Sequence, residues 1–161
     1  MSFNVQELGR AVKQLQSRNH RRLDAALMEI GTTLAQWDAL RTINDHPGAS
    51  AHVLAEQSFQ TDQSFGSLAT RLIEKGLVDR RQGKGRALVH SLTDEGRSMF
   101  ERGAAITVQV ISDSFAALSE FEKRQLFELL QKALGAAKSR EDVSSGSLAP
   151  PDSARAPIKS Q

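Results

Sequence analysis

The sequence predicts a mainly α-helical fold interrupted by one small β-hairpin, and three observations carry that prediction. Apolar residues recur at three- and four-residue steps through most of the chain, the spacing that lines one face of a helix. Hydroxyl residues suited to capping stand where helices should begin, at Thr33, Ser50, Thr61 and Ser119, with Gln36 and Glu122 completing capping boxes at the first and last. One stretch, Leu77–Thr93 (LVDRRQGKGRALVHSLT), instead has two β-prone segments around a glycine-containing loop.

Taken in order, Val5, Leu8, Val12, Leu15, Leu23, Leu27 and Ile30 predict one long amphipathic helix over roughly 4–30, ended by Gly31. Thr33 with Gln36 opens a second helix through Leu34, Trp37, Leu40 and Ile43, and His46-Pro47-Gly48 breaks it. Ser50 caps a short third helix, AHVLAEQS; a brief turn at Phe59-Gln60 follows. Thr61 caps a fourth, with Phe65, Leu68, Ala69 and Leu72 facing inward and Gly76 at its end. Leu77–Arg81 and Ala87–Leu92 are the expected strands, joined by Gln82-Gly83-Lys84-Gly85-Arg86. Thr93-Asp94-Glu95 starts another long helix, with Met99, Phe100, Ile106, Val110, Ile111 and Leu118 inward. Ser119 with Glu122 opens the last, lined by Leu126, Leu129, Leu130, Ala133 and Leu134.

From Lys138 onward three of the four prolines and six serines occur in a segment with almost no apolar content, so residues 138–161 are expected to be a disordered tail. The rest, 4–137, is expected to be one domain: a central lobe at 33–92 and dimerisation helices at 4–30 and 94–137. Those outer helices are too long and apolar for so small a body to cover, and a two-fold homodimer would bury their stripes.

Composition narrows the function. A net charge of only +2 does not by itself signal nucleic acid and argues against non-specific DNA packaging. Cysteine is absent, which removes disulfides, thiolate metal sites and thiol redox chemistry. The four histidines are scattered, and no catalytic triad, phosphate loop or nucleotide fingerprint occurs, so neither a metal, a cofactor nor an enzymatic role is expected. The N-terminus lacks the apolar core of a signal peptide and no run approaches a membrane span, so a soluble cytoplasmic protein is expected.

The third and fourth helices with their short turn form a helix-turn-helix pattern, which lets the second helix lie in a DNA major groove. Thr61, Gln63, Ser64, Ser67 and Arg71 are the residues of that helix expected at base edges or phosphates. Arg80, Arg81, Lys84 and Arg86 place four cations in seven residues, and no acid occurs from Arg80 to Thr93. A basic loop tip beside a major-groove helix can reach the adjacent minor groove, where arginine is favoured. Ordinary solvated charge protecting a sheet edge is the competing explanation.

The runs TLAQWDALRTINDHPG, LAEQSFQTDQSFGSLATRLIEKGLVDRR and GRALVHSLTDEGR resemble the winged helix-turn-helix regulators of the MarR type, over roughly residues 5–136. The resemblance implies a homodimeric transcription regulator of double-stranded DNA, in which the outer helices interlock two copies, the fourth helix reads the major groove and the hairpin, as a wing, enters the minor groove. On it, Thr61 to Arg71 fall on the recognition helix and Arg86 on the wing arginine, with Lys84 in the place of the family's aspartate. Phe59-Gln60-Thr61-Asp62 stands where Gly-Val-Ser-Pro is usual, so fewer direct base contacts and more reliance on the wing and DNA shape are expected. The resemblance also implies a small aromatic or phenolic effector, for which His20, Trp37 and Arg41 are the candidate ligands; core packing is the other explanation of Trp37. A winged-helix dimer that binds protein rather than specific DNA is the alternative function.

Overall fold

A computed structural model describes residues 4–83 and 88–145 of the chain. Six helices and one hairpin follow each other: α1 Val5–Met28, α2 Leu34–Asp45, α3 Ala51–Gln57, α4 Asp62–Glu74, β1 Val78–Gln82, β2 Leu88–Leu92, α5 Asp94–Ser114 and α6 Glu120–Ser145. The chain divides between Phe115 and Ala116 into two compact units, the first holding every element through α5 and the second holding α6.

Helix starts follow the capping chemistry. The Thr33 hydroxyl accepts the Gln36 N–H at 3.2 Å while the Gln36 side chain accepts the Thr33 N–H, a reciprocal box. Lys75, just past α4, donates to the same Gln36 side chain at 3.1 Å, and Asp24 of α1 accepts the Leu34 N–H at 2.8 Å. Two helices, α1 and α4, are thereby tied to the first turn of α2. Ser50, Thr61 and Thr93 cap α3, α4 and α5, and Ser119 with Glu122 boxes the start of α6.

The main core joins Leu40 and Ile43 of α2, Leu54 of α3, Phe65, Ala69 and Leu72 of α4, and Leu77 and Val78 at the hairpin base. A second cluster, Leu27, Leu34 and Trp37, seats α1 and α2 against Phe100, Ala104 and Ile106 of α5. Two glycines of α5 permit this approach. A Cβ at Gly96 would lie 1.9 Å from the Leu77 carbonyl oxygen, and one at Gly103 would lie 2.2 Å from the Trp37 indole.

The expected boundaries shift in four places. α1 ends at Met28 rather than near residue 30, because Gly31, at φ 86°, closes a turn there. β1 begins and ends one residue later than expected, at Val78 and Gln82, and Gln82 pairs with Leu88; Ala87, the expected start of the second strand, lies outside the described residues. α5 stops at Ser114, so Leu118 lies in the connection to α6 rather than on a helical face. α6 runs to Ser145, so the segment set apart from Lys138 begins inside a helix; Lys, Arg and Glu there are good helix formers, and the first tail proline is Pro150. Residues 146–161 lie outside the described residues.

α1 leaves Val5, Leu8 and Val12 at 70%, 51% and 49% exposure. α6, taken by itself, exposes Phe121, Phe127, Leu129 and Leu134, each above 60% or at it. Unpaired apolar stripes of this kind are what a monomeric surface avoids.

Candidate nucleic-acid interface

The geometry of α4 follows from its apolar spacing. Phe65, Ala69 and Leu72 are buried, which turns Gln63, Ser64, Ser67 and Arg71 to solvent on the opposite side. Ser64, Ser67 and Arg71 succeed one another at steps of three and four and form one continuous face. Thr61, also exposed, is committed at its hydroxyl: it accepts the Ser64 N–H at 3.2 Å as the helix cap. Gly66 has open space beyond its Cα, so the middle of the face is bare backbone.

The junction of α3 and α4 has two features that spacing does not predict. Phe59 adopts φ 54° and is 93% exposed. Asp62 does not simply face outward as a lone carboxylate: His52 of α3 bonds it through Nδ1 at 3.0 Å and approaches Glu56 at 3.6 Å. The hydrogen bond to Asp62, then the charges of Asp62 and Glu56, raise the His52 pKa above its ordinary value. A protonated His52 neutralises the acid that would otherwise repel a phosphate at the α4 N-terminus. Ten residues separate His52 and Asp62, and no periodicity pairs them; only the helix-turn-helix bend brings them together.

Strand alternation splits the two arginines of β1. Arg80 lies across from His90, whereas Arg81 lies across from Val89 and projects to the other face. Arg81 is not free of counter-charge, as the acid-free run suggested: it pairs with Asp79 at 3.1 Å, immediately upstream of that run. Arg80 pairs with no carboxylate among the described residues. Lys84 and Arg86 lie outside the described residues.

His90 holds the hairpin to the lobe. Its backbone donates to Ala49 and accepts from Gly48, both at 3.1 Å, and its ring is buried with Nδ1 finding no hydrogen-bond partner among the described residues. Burial lowers its pKa, the nearby Arg80 charge acts the same way, and the Ala49 carbonyl opposes both.

The three residues named for an effector are not brought together. Trp37 is only 7% exposed, stacks on Phe100 at a centroid distance of 6.1 Å, and donates its indole N–H to the Phe100 carbonyl at 3.0 Å. Arg41 joins it, with its guanidinium carbon 5.9 Å from the ring centroid, and is also ion-paired to Asp38 at 3.2 Å. His20 is exposed on α1 and makes none of these contacts. Trp37 and Gly103 thus form a packing pair that the helical spacing did not reveal. On α1, Arg18 bonds Ser114 at 3.1 Å and Arg22 lies 3.8 Å from Asp113, so these two arginines stitch α1 to α5.

Among the described residues no group of three or more His, Asp or Glu could hold a metal ion, and no helix is long and apolar enough to cross a membrane. Residues 30–87 match the model of the MarR family. The HTH-type transcriptional repressor Rv2887 of Mycobacterium tuberculosis is 30% identical over 112 residues, spanning 68% of this chain and 81% of the relative. The structure of that organism's MarR family protein Rv2887 in complex with DNA superposes with a TM-score of 0.67 at 25% identity, covering 78% of this chain and 96% of the other. Its complex with p-aminosalicylic acid gives 0.66 at 27%, covering 78% and 97%. Wild-type MarR from E. coli, at 24% identity and a TM-score of 0.70 over 79% of this chain and 96% of that one, shares the fold. A capped helix-turn-helix followed by a two-stranded hairpin and flanked by long outer helices is thus matched in sequence as well as in backbone, and the chain belongs to the MarR family of winged helix-turn-helix transcriptional regulators.

Proposed function

We propose that this chain is a sequence-specific DNA-binding repressor that acts as a homodimer on a pseudo-palindromic operator and is released by a small aromatic or phenolic ligand. The observation that carries the proposal is the polar α4 face, Gln63, Ser64, Ser67 and Arg71, presented beside a hairpin whose strand bears Arg80 without a carboxylate partner among the described residues. Such side chains hydrogen-bond base edges and phosphates, and a helix so exposed fits the major groove. The apolar exposure of α1 and α6 supports burial against a second copy, which would present two α4 helices about one helical turn of DNA apart. The relative named a repressor, and its complexes with DNA and p-aminosalicylic acid, support the sign of regulation and the ligand class.

Gln63 and Ser67 read bases. Thr61, Ser64 and Arg71 position the helix, Arg80 and Arg81 reach the backbone, Arg86 probes the minor groove and Lys84 lies near phosphate. Trp37 and Arg41 form one wall of the effector site; His20, apart on α1, is the third residue to be tested for it. The test is a titration of labelled duplex at two salt concentrations. Gln63→Ala and Ser67→Ala should change the order of preference among duplexes, whereas Arg86→Ala should weaken all of them and flatten the salt slope by about one unit. Weak binding without sequence preference in the wild-type chain would instead favour a protein-interaction role.

A further inference from the structure

Four backbone positions among the described residues have left-handed φ, and three of them are glycine: Gly31, Gly48 and Gly76. The fourth is Phe59. Its conformation is imposed by the end of α3: the Phe59 N–H donates to the Glu56 carbonyl at 3.2 Å, and the Gln60 N–H reaches the Ala55 carbonyl at 2.9 Å. A helix ending in this way wants glycine at the left-handed residue, because any Cβ there is strained. A bulky aromatic is the least suitable replacement. Packing does not compensate, since Phe59 is 93% exposed, more than any other large apolar side chain described. The chain therefore keeps a strained residue that its own fold does not bury, and such strain points to a function outside the fold.

The surroundings identify the partner. Phe59 lies two residues before the Thr61 cap. Gln60, its neighbour, accepts the Ser64 hydroxyl at 3.3 Å, so the turn is joined to the polar face of α4. A duplex seated on that face has the turn at its rim. The apolar group that a major groove offers there is the thymine 5-methyl, to which phenylalanine packs well. We infer that Phe59 is a DNA-contacting, specificity-determining residue that packs on a thymine methyl beside the bases met by α4; this rests on the DNA-binding role proposed above. The exposed ring is then buried only in the complex, where a glycine would bury nothing.

The experiment compares wild type, Phe59→Gly and Phe59→Leu on the duplex that the wild-type chain selects from random DNA. Phe59→Gly should keep or raise the Tm, because the left-handed strain is relieved. It should also weaken binding about tenfold, within the range for loss of one base-edge contact. Phe59→Leu, which keeps an apolar group, should retain most of the affinity. Replacing thymines singly by deoxyuridine removes one methyl at a time. At one position this should weaken the wild type about threefold and leave Phe59→Gly unchanged, a coupling of the kind that double-mutant cycles isolate. Binding of Phe59→Gly within twofold of wild type would overturn this inference alone. So would deoxyuridine penalties identical in the two proteins at every position. A wild-type chain that selects no sequence would overturn the proposed function and this inference with it.

Discussion

Replacing Gly96 by Ala tests how the base of the hairpin is mounted on α5. The added Cβ would stand 1.9 Å from the Leu77 carbonyl oxygen and 2.9 Å from its carbon. Both obstacles are backbone, so relief requires α5 and the start of β1 to part by about an ångström, an overpacking cost of roughly 1–3 kcal/mol. The same separation stretches two hydrogen bonds: Thr93 N–H to the Leu77 carbonyl at 3.2 Å and the Thr93 hydroxyl to the Gly76 carbonyl at 2.7 Å. Each contributes about 1 kcal/mol. Alanine's better helix propensity returns up to about 1 kcal/mol. The net expectation is a loss of about 2–3 kcal/mol, read as a lower urea midpoint at unchanged m-value. A Gly96→Ala variant within about 0.5 kcal/mol of wild type would refute the claim that this contact fixes the hairpin against α5.

Three further outcomes are expected. Trp37→Phe keeps the stack on Phe100 but loses the indole hydrogen bond, at about 1 kcal/mol, whereas Trp37→Ala opens the core and costs roughly 3–5 kcal/mol in urea unfolding. In an NMR titration His52 should titrate above 6.5 and His90 below it. His52 then contributes stability that is present below pH 6.5 and lost as pH climbs through its raised folded value. His90 does the reverse: stability is full above pH 6.5 and falls as pH drops toward its lowered folded value. His52→Gln should remove the first dependence and leave the second. Asp79→Asn frees Arg81 from its ion pair, so duplex binding should tighten about twofold to threefold with a steeper salt slope. The same gain in an Arg81→Ala background would show that only net charge had mattered.

Local signals were legible in the sequence and long-range ones were not. Thr33, Ser50, Thr61, Thr93 and Ser119 each start a helix because capping depends on residues within three positions. The inward stripe of α4 and its polar reverse follow from spacing alone. The Arg81 counter-charge is not visible in the acid-free run, because Asp79 stands just before it and is reached by strand alternation rather than adjacency. Gly96 and Gly103, seven apart on one face of α5, are a visible signal of close approach, but what approaches (the Leu77 carbonyl, the Trp37 ring) depends on tertiary packing. The His52–Asp62 pair and the left-handed Phe59 both arise from the bend between α3 and α4. Grouping His20 with Trp37 and Arg41 rested on the family's ligand class; the fold engages the indole with Phe100 and Arg41 and leaves His20 apart on α1.

The central claim is that two copies of this chain read a defined DNA sequence. Selection from a random-sequence duplex pool with the full chain, at physiological salt, tests it most directly. The expected result is enrichment of an inverted repeat whose half-sites lie about one helical turn apart, bound by a protein of twice the chain mass. A pool that stays random through the rounds, or a selected site with no two-fold symmetry bound by a single chain, would contradict it.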